Sequence, residues 1–284
     1  MITLVTAWYN LKNKFDLDTY DKWMSNIIHN CNKFNLVIYT DRFSYPIFSQ
    51  YRQIIENNNK IKIVIKEIDQ FYTKQYNWEE NHNHSSNPLK NSISYKLNML
   101  WNEKINFLYD AYRHNYFNTD IWGWCDIGYF RCRNGLDISR EELKQWPSEH
   151  KLSTINNNKI YYTAVNPLCN CNNRETFPCC NNGYMNKLAT HIKYKNGVDL
   201  PLTPIPENQI SIAGGFFLTN GKNIKWWHDT FYTRLDLYFK HNYFVKDDQI
   251  IIIDCIVNNY SNFMLIEQPR FGYDRWFAFA NYFL

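Results

Sequence analysis

The chain predicts an α/β domain organised on a mostly parallel sheet, and three observations lead there. First, short apolar runs at residues 2–8, 36–40 and 61–68 alternate with segments of helical periodicity, the spacing of βαβ units. Second, residues 119–131 read TDIWGWCDIGYFR. An apolar run there drives into Asp126 and a turn glycine, Gly128, as a buried strand of such a sheet does. Third, SIAGGFFLTN (211–220) reads as a strong strand interrupted by Gly214 and Gly215. Glycine inside a strand marks a bulge or a close approach to the backbone.

Residues 2–8 form the first strand, and Asp18 is placed to cap a helix running to about residue 32, with Tyr20, Trp23, Ile27 and Ile28 on one face. Residues 36–40 give the second strand, ending at Asp41, and a helix over 48–55 leads to the third strand. Residues 73–92 are polar and rich in Asn, His and Ser, and read as a long, mobile or ligand-dependent insertion. Residues 94–115 then predict one long amphipathic helix feeding the Asp126 strand. A short helix near 139–145 and a strand over 160–165 follow. Residues 166–209 hold five of the nine prolines and read as a second insertion, on the active-site side. Strand 210–219, helices 223–241 and 247–258, and a short strand 263–266 complete the chain. No linker divides it, so a single domain over 1–284 is expected.

Composition narrows the function. A net charge of +4, scattered rather than blocked, leaves no nucleic-acid footprint. The opening residues have no basic, apolar and cleavage-site pattern of a signal peptide, and no run reaches the length of a membrane span. A cytoplasmic location is the expectation. Aromatic residues make up 18% of the chain, a content suited to stacking on ring-shaped ligands as well as to filling a core. Cys169, Cys171, Cys179 and Cys180 cluster without the spacing of a common zinc finger, so thiols are expected rather than a zinc site. His82 and His84 are expected in a solvated loop, and His228 and His241 at the surface or in packing.

Six segments in order carry a resemblance: TLVTAWYN (3–10), VIYTD (37–41), SYKLNMLWNEKINFL (94–108), TDIWGWCDIGYFR (119–131), AGGFFLTN (213–220) and DDQ (247–249). Together they resemble the HtrL/YibB family, also described as WlaTC-type proteins, over nearly the whole chain except 73–92 and 166–209. Its members are regarded as glycosyltransferases of the GT-A fold. The resemblance implies a GT-A-like single domain with a mixed, mostly parallel sheet flanked by helices. It implies a nucleotide-diphosphate sugar as donor and a glycan or other hydroxyl as acceptor. By the same resemblance, Thr6, Ala7 and Trp8 would border the nucleotide base and Asp41 would contact base or ribose. Lys96 would reach a phosphate or the base, and Asp126 would stand at the metal position. Gly214 and Gly215 would line donor sugar or acceptor, and Asp247 or Asp248 would face the reacting centre.

One departure stands out. Where many GT-A enzymes have Asp-x-Asp, this chain has Trp124-Cys125-Asp126, so one carboxylate is missing. Mn²⁺ or Mg²⁺ can still bind through one carboxylate plus substrate phosphates, and Asp126 is the expected ligand. Glycosyl transfer also needs a base for the acceptor hydroxyl. Adjacent residues at a helix start point about 100° apart, so Asp247 can cap the helix while Asp248 acts as the base. The alternative is a non-catalytic carbohydrate- or nucleotide-binding module of the same fold. A nucleotidyltransferase is disfavoured, because AWYNLKNKF after the first strand has no glycine for a phosphate loop.

Overall fold

The computed structural model describes residues 1–12, 14–131, 138–166 and 183–284. Seven strands form one sheet: β1 Ile2–Ala7, β2 Phe34–Thr40, β3 Ile61–Ile65, β4 Ile121–Cys125, β5 Ile160–Ala164, β6 Ile212–Asn220 and β7 Phe263–Ile266. Their spatial order is β3-β2-β1-β4-β6-β5-β7. The expected α/β architecture, a mixed and mostly parallel sheet flanked by helices, is present. β1, β2, β3 and β4 run parallel, and β5 and β7 are parallel to each other. β6 is antiparallel to both of its neighbours, β4 and β5.

Burial explains the central strands. Every residue of β1 and β2 is buried, because helices cover both faces and neither face needs polar side chains. Val5 and Ala7 point to one core with Phe107, Trp124 and Phe217. Leu4 points to the other, with Met24, Ile27, Trp146 and Phe216. The helices of the first core are α4 Tyr95–Arg113, α8 Ile224–Lys240 and α9 Asp248–Asn258. α1 Leu17–His29 packs in the second core, joined there by α10 Ala278–Tyr282. The cap of α1 is Asp16, whose Oδ1 accepts the Thr19 N–H at 2.8 Å, and not Asp18, which lies inside the first turn.

Three further helices are short: α2 Arg52–Asn57, α3 Trp78–His82 and α5 Arg140–Gln145, the last opened by a capping box between Ser139 and Glu142. Four helices lie where the sequence predicted none: α3 inside the proposed 73–92 insertion, α6 Glu149–Ser153, α7 Tyr184–Lys193 inside the proposed 166–209 insertion, and α10. The expected excursion 73–92 is anchored rather than loose. Buried Glu103 of α4 accepts the backbone N–H groups of Tyr72 and Thr73 at 2.9 and 3.0 Å. Trp78 is buried, and His82 is buried too, its Nδ1 2.7 Å from Asn98 Oδ1. His82 is therefore a packed, hydrogen-bonded side chain, not a solvated one. The cysteine cluster 169–180 lies outside the described residues. Among the described residues, no helix is long and apolar enough to cross a membrane.

Candidate active site

Two strand pairings and one helix build the site. β4 and β6 pair antiparallel with Trp124 opposite Phe217 and Cys125 opposite Phe216. The ladder continues one step, with the Asp126 N–H donating to the Gly215 carbonyl at 2.8 Å. Asp126 thus stands at the carboxyl end of β4 beside Gly215, the edge where ligands bind in such sheets. The β5–β6 register shifts between Tyr161 and Thr163, alongside the Gly214–Gly215 stretch. α9 packs on β6 and brings Asp248 against Gly214. A β-carbon at Gly214 would lie 2.7 Å from Asp248 Oδ2, and one at Gly215 would lie 3.2 Å from Asp126 Oδ2. The close approach expected at these glycines is made by the protein's own carboxylates.

Lys104 joins these segments. Its Nζ lies 3.1 Å from Asp126 Oδ1 and 3.1 Å from Asp248 Oδ2, and donates to the Gly214 carbonyl at 2.9 Å. One contact is a hydrogen bond and two are ion pairs, so a single ammonium is set against two carboxylates. Asp126 Oδ1 also accepts the indole N–H of Trp124 at 2.7 Å. The residue standing in place of the missing carboxylate therefore orients the one that remains. Only 8% of the Lys104 side chain is exposed, against 36% for Asp126. A charge buried that deeply is costly unless paired; here burial disfavours the ammonium, but Asp126 and Asp248 outweigh it and hold the Lys104 pKa above its ordinary value. Asp248 goes the other way for a carboxyl. Burial first, and then the neighbouring charges of Asp247 and Asp126, lift it from 3.8 to about 7 although Lys104 pulls it down.

These groups lie in a cleft of about 400 Å³. One wall is aromatic, with Trp8, Phe15, Tyr20, Trp276 and Phe277. Arg131 reaches into this wall, its guanidinium 4.2 Å from the Trp23 ring centre and 5.2 Å from that of Phe277. α4 adds Trp101 to the lining, and Lys14 stands 5.6 Å above its ring. Four cations, Lys14, Lys104, Arg131 and Lys246, and three carboxylates, Asp126, Asp247 and Asp248, line the space. Asn208 and Gln209 line it as well, so part of the 166–209 segment does face the site.

The expected site residues divide. Ala7, Trp8, Asp126, Gly214, Gly215, Asp247 and Asp248 share this cleft. Asp41 and Lys96 instead line a second one of about 590 Å³. The converging ion pairs are in the first. The sheet order explains the separation: β2 lies beyond β1 from Asp126, and Asp41 spends its Oδ1 on the Ser44 N–H at 2.7 Å. Lys96 and Lys104 share a helix but stand about 12 Å apart along its axis and about 80° apart around it. Thr6 is wholly buried on β1 and lines neither cleft. Asp247 occupies the N-cap position of α9, yet its side chain makes no cap hydrogen bond, contrary to the expected role. Its Oδ2 lies 3.3 Å from Lys246 Nζ instead.

Lys104 is the residue the sequence reading passed over. A signal was present: Leu97, Trp101, Lys104, Leu108 and Ala111 follow a 4-3-4-3 spacing, which sets a lysine inside an apolar stripe.

A divalent ion does not fit between the carboxylates. Such ions take several oxygen ligands at about 2.0–2.6 Å, and the Lys104 ammonium already stands between Asp126 and Asp248. Among the described residues, no group of three or more His, Cys, Asp and Glu side chains is arranged to hold a metal.

No family model matches the chain, and no curated protein matches it. Among solved structures, the chain is similar to mouse xyloside xylosyltransferase 1 in its apo form, at 10% identity over 93% of this chain and 84% of that one, with a TM-score of 0.47. It is also similar to the galactosyltransferase LgtC in complex with donor and acceptor sugar analogues, at 12% identity over 94% and 73% of the two chains, TM-score 0.45. A third similarity is to the apo WbbM bifunctional glycosyltransferase, at 12% identity over 93% of this chain and 38% of that one, TM-score 0.43. Likenesses this distant say what the chain resembles and do not assign its chemistry.

Proposed function

We propose that the protein is a glycosyltransferase of GT-A type, moving a hexose or N-acetylhexosamine from a nucleotide-sugar donor to a hydroxyl acceptor in glycan or polysaccharide synthesis. The observation that carries this reading is the buried Lys104 held between Asp126 and Asp248 at the floor of an aromatic-walled cleft. The aromatic wall with Trp8 suits the base and sugar rings, which stack on apolar faces. The cations of the cleft suit a diphosphate, whose negative charge grows as it departs and is stabilised by fixed positive groups.

In this reading Asp248 is the base. Its pKa of about 7 lies close to working pH, where a base combines a useful deprotonated fraction with real proton affinity. The acceptor O–H gives its proton to Asp248 while the oxygen forms a bond to the sugar's anomeric carbon. The bond from that carbon to the diphosphate breaks, and the nucleotide leaves with the electron pair. As Asp248 is neutralised, Lys104 loses one of its two carboxylate counter-ions. Its charge then acts more fully on the departing diphosphate. Asp126, fixed by Trp124 and Lys104, keeps Oδ2 for a donor hydroxyl.

A thermal-shift screen of nucleotide sugars tests the reading, because a ligand that binds only the native state stabilises it by about 2.7 kcal/mol at 100 times its Kd. One nucleotide class is expected to raise Tm, and Asp126→Asn to weaken the effect. No shift with any nucleotide sugar at millimolar concentration refutes it.

A further inference from the structure

We propose that the Lys104 ammonium is the site's resident cation, filling the place between Asp126 and Asp248 that a divalent ion would need, so that the protein binds its nucleotide without metal. The geometry is specific. The ammonium donates to the Gly214 carbonyl at 2.9 Å and stands 3.1 Å from two carboxylate oxygens on different elements, held to them as an ion pair. Asp126 Oδ1, the oxygen facing Asp248 across Lys104, is further occupied by the Trp124 indole N–H. A metal using that oxygen would have to displace the Trp124 N–H and sit against the Lys104 ammonium.

Placement makes the ammonium hard to move. Lys104 extends from the middle of α4, a helix of 19 residues, with its side chain almost wholly enclosed. Its Nζ lies 5.9 Å from the centre of the Trp124 ring, so the same tryptophan backs both the lysine and its partner. The third carboxylate is also matched: Asp247 Oδ2 faces Lys246 Nζ, which in turn donates to the Glu207 carbonyl. Each acidic group of the cleft therefore faces an ammonium of the protein's own. Trp124 in place of a carboxylate and lysine between the other two form one arrangement: the position that would supply a metal ligand supplies an N–H donor.

Two measurements on the full chain decide this, and only the second rests on the transferase reading. Mn²⁺ is titrated by electron paramagnetic resonance into the nucleotide-free wild type and into Lys104→Ala. The wild type is expected to show no stoichiometric binding, and Lys104→Ala to bind Mn²⁺ at least about tenfold more tightly, because it opens the space between two carboxylates. Uridine, guanosine, cytidine and adenosine diphosphates are then titrated by calorimetry in EDTA and in Mn²⁺. The wild type is expected to bind one of them equally in both, and Lys104→Ala to need Mn²⁺. Stoichiometric Mn²⁺ binding by the wild type that Asp126→Asn abolishes, or nucleotide binding that EDTA removes, overturns the proposal. Should Lys104→Ala not fold, the wild-type arms still decide it. Absence of nucleotide binding in both buffers sinks the transferase reading instead, and leaves the Mn²⁺ arm to judge the lysine.

Discussion

Gly214 leaves the space that Asp248 fills. A β-carbon on that glycine would stand 2.7 Å from one carboxylate oxygen of Asp248 and 2.9 Å from the other. The helix that carries Asp248 could approach the strand this closely only because the strand has no side chain there. Gly214→Ala is expected to push the carboxylate off Lys104 and to cut turnover on the order of 10²-fold, the scale set by misplacing a catalytic group by about 1 Å. Nucleotide binding and the folded state should persist. Steady-state kinetics beside a nucleotide titration checks this.

Gly123 gives the contrasting case. A β-carbon there would meet the Phe217 carbonyl oxygen at 2.5 Å and the Leu218 Cβ at 3.1 Å. Both belong to the paired strand β6, which cannot yield as a side chain can. Gly123→Ala is expected to lower stability by roughly 1–3 kcal/mol or more. Urea unfolding of the two glycine variants should rank Gly123→Ala as the less stable.

Asp248 fixes the pH behaviour. A base must be deprotonated, so kcat/KM is expected to rise with pH through about 7. The carboxylate of Asp247 is one of the charges that hold Asp248 up. Asp247→Asn is therefore expected to move this limb to lower pH. Its stability should change little, since no cap bond is lost. A full pH–rate profile of both proteins is the check.

Stability follows the same titration with the opposite sign. Between its ordinary 3.8 and about 7, Asp248 keeps a proton in the folded state that the unfolded chain releases. Its contribution is complete below 3.8 and is lost as pH rises through about 7. The fall in urea stability from pH 5 to pH 8 should be smaller in Asp248→Asn than in the wild type.

The chain announced its sheet more fully than its site. β1 and β2 are continuous apolar runs because both their faces are buried, and such runs are legible. The reversal of β6 was not, since a strand buried on both faces looks the same in either direction; yet this reversal sets Asp126 beside Gly215. Residues 73–92 misled because average polarity hid single anchors, Trp78 against the core and Glu103 beneath Thr73. Asp126, the paired glycines and the DDQ stretch were legible as turn and strand irregularities. Lys104 was not, because a lysine on an amphipathic helix reads as solvated unless its place in the apolar stripe is counted.

The most direct test of the central claim is release of nucleoside diphosphate. The nucleotide sugar that raises Tm is incubated with the wild type and with Asp248→Asn, with water or a panel of sugar acceptors as the attacking hydroxyl. The account predicts release by the wild type, stimulated by one acceptor class, and a loss of about 10²–10⁴ in Asp248→Asn with donor binding intact. Donor binding with no release by the wild type under any acceptor would contradict it, and would make the cleft a binding site without chemistry.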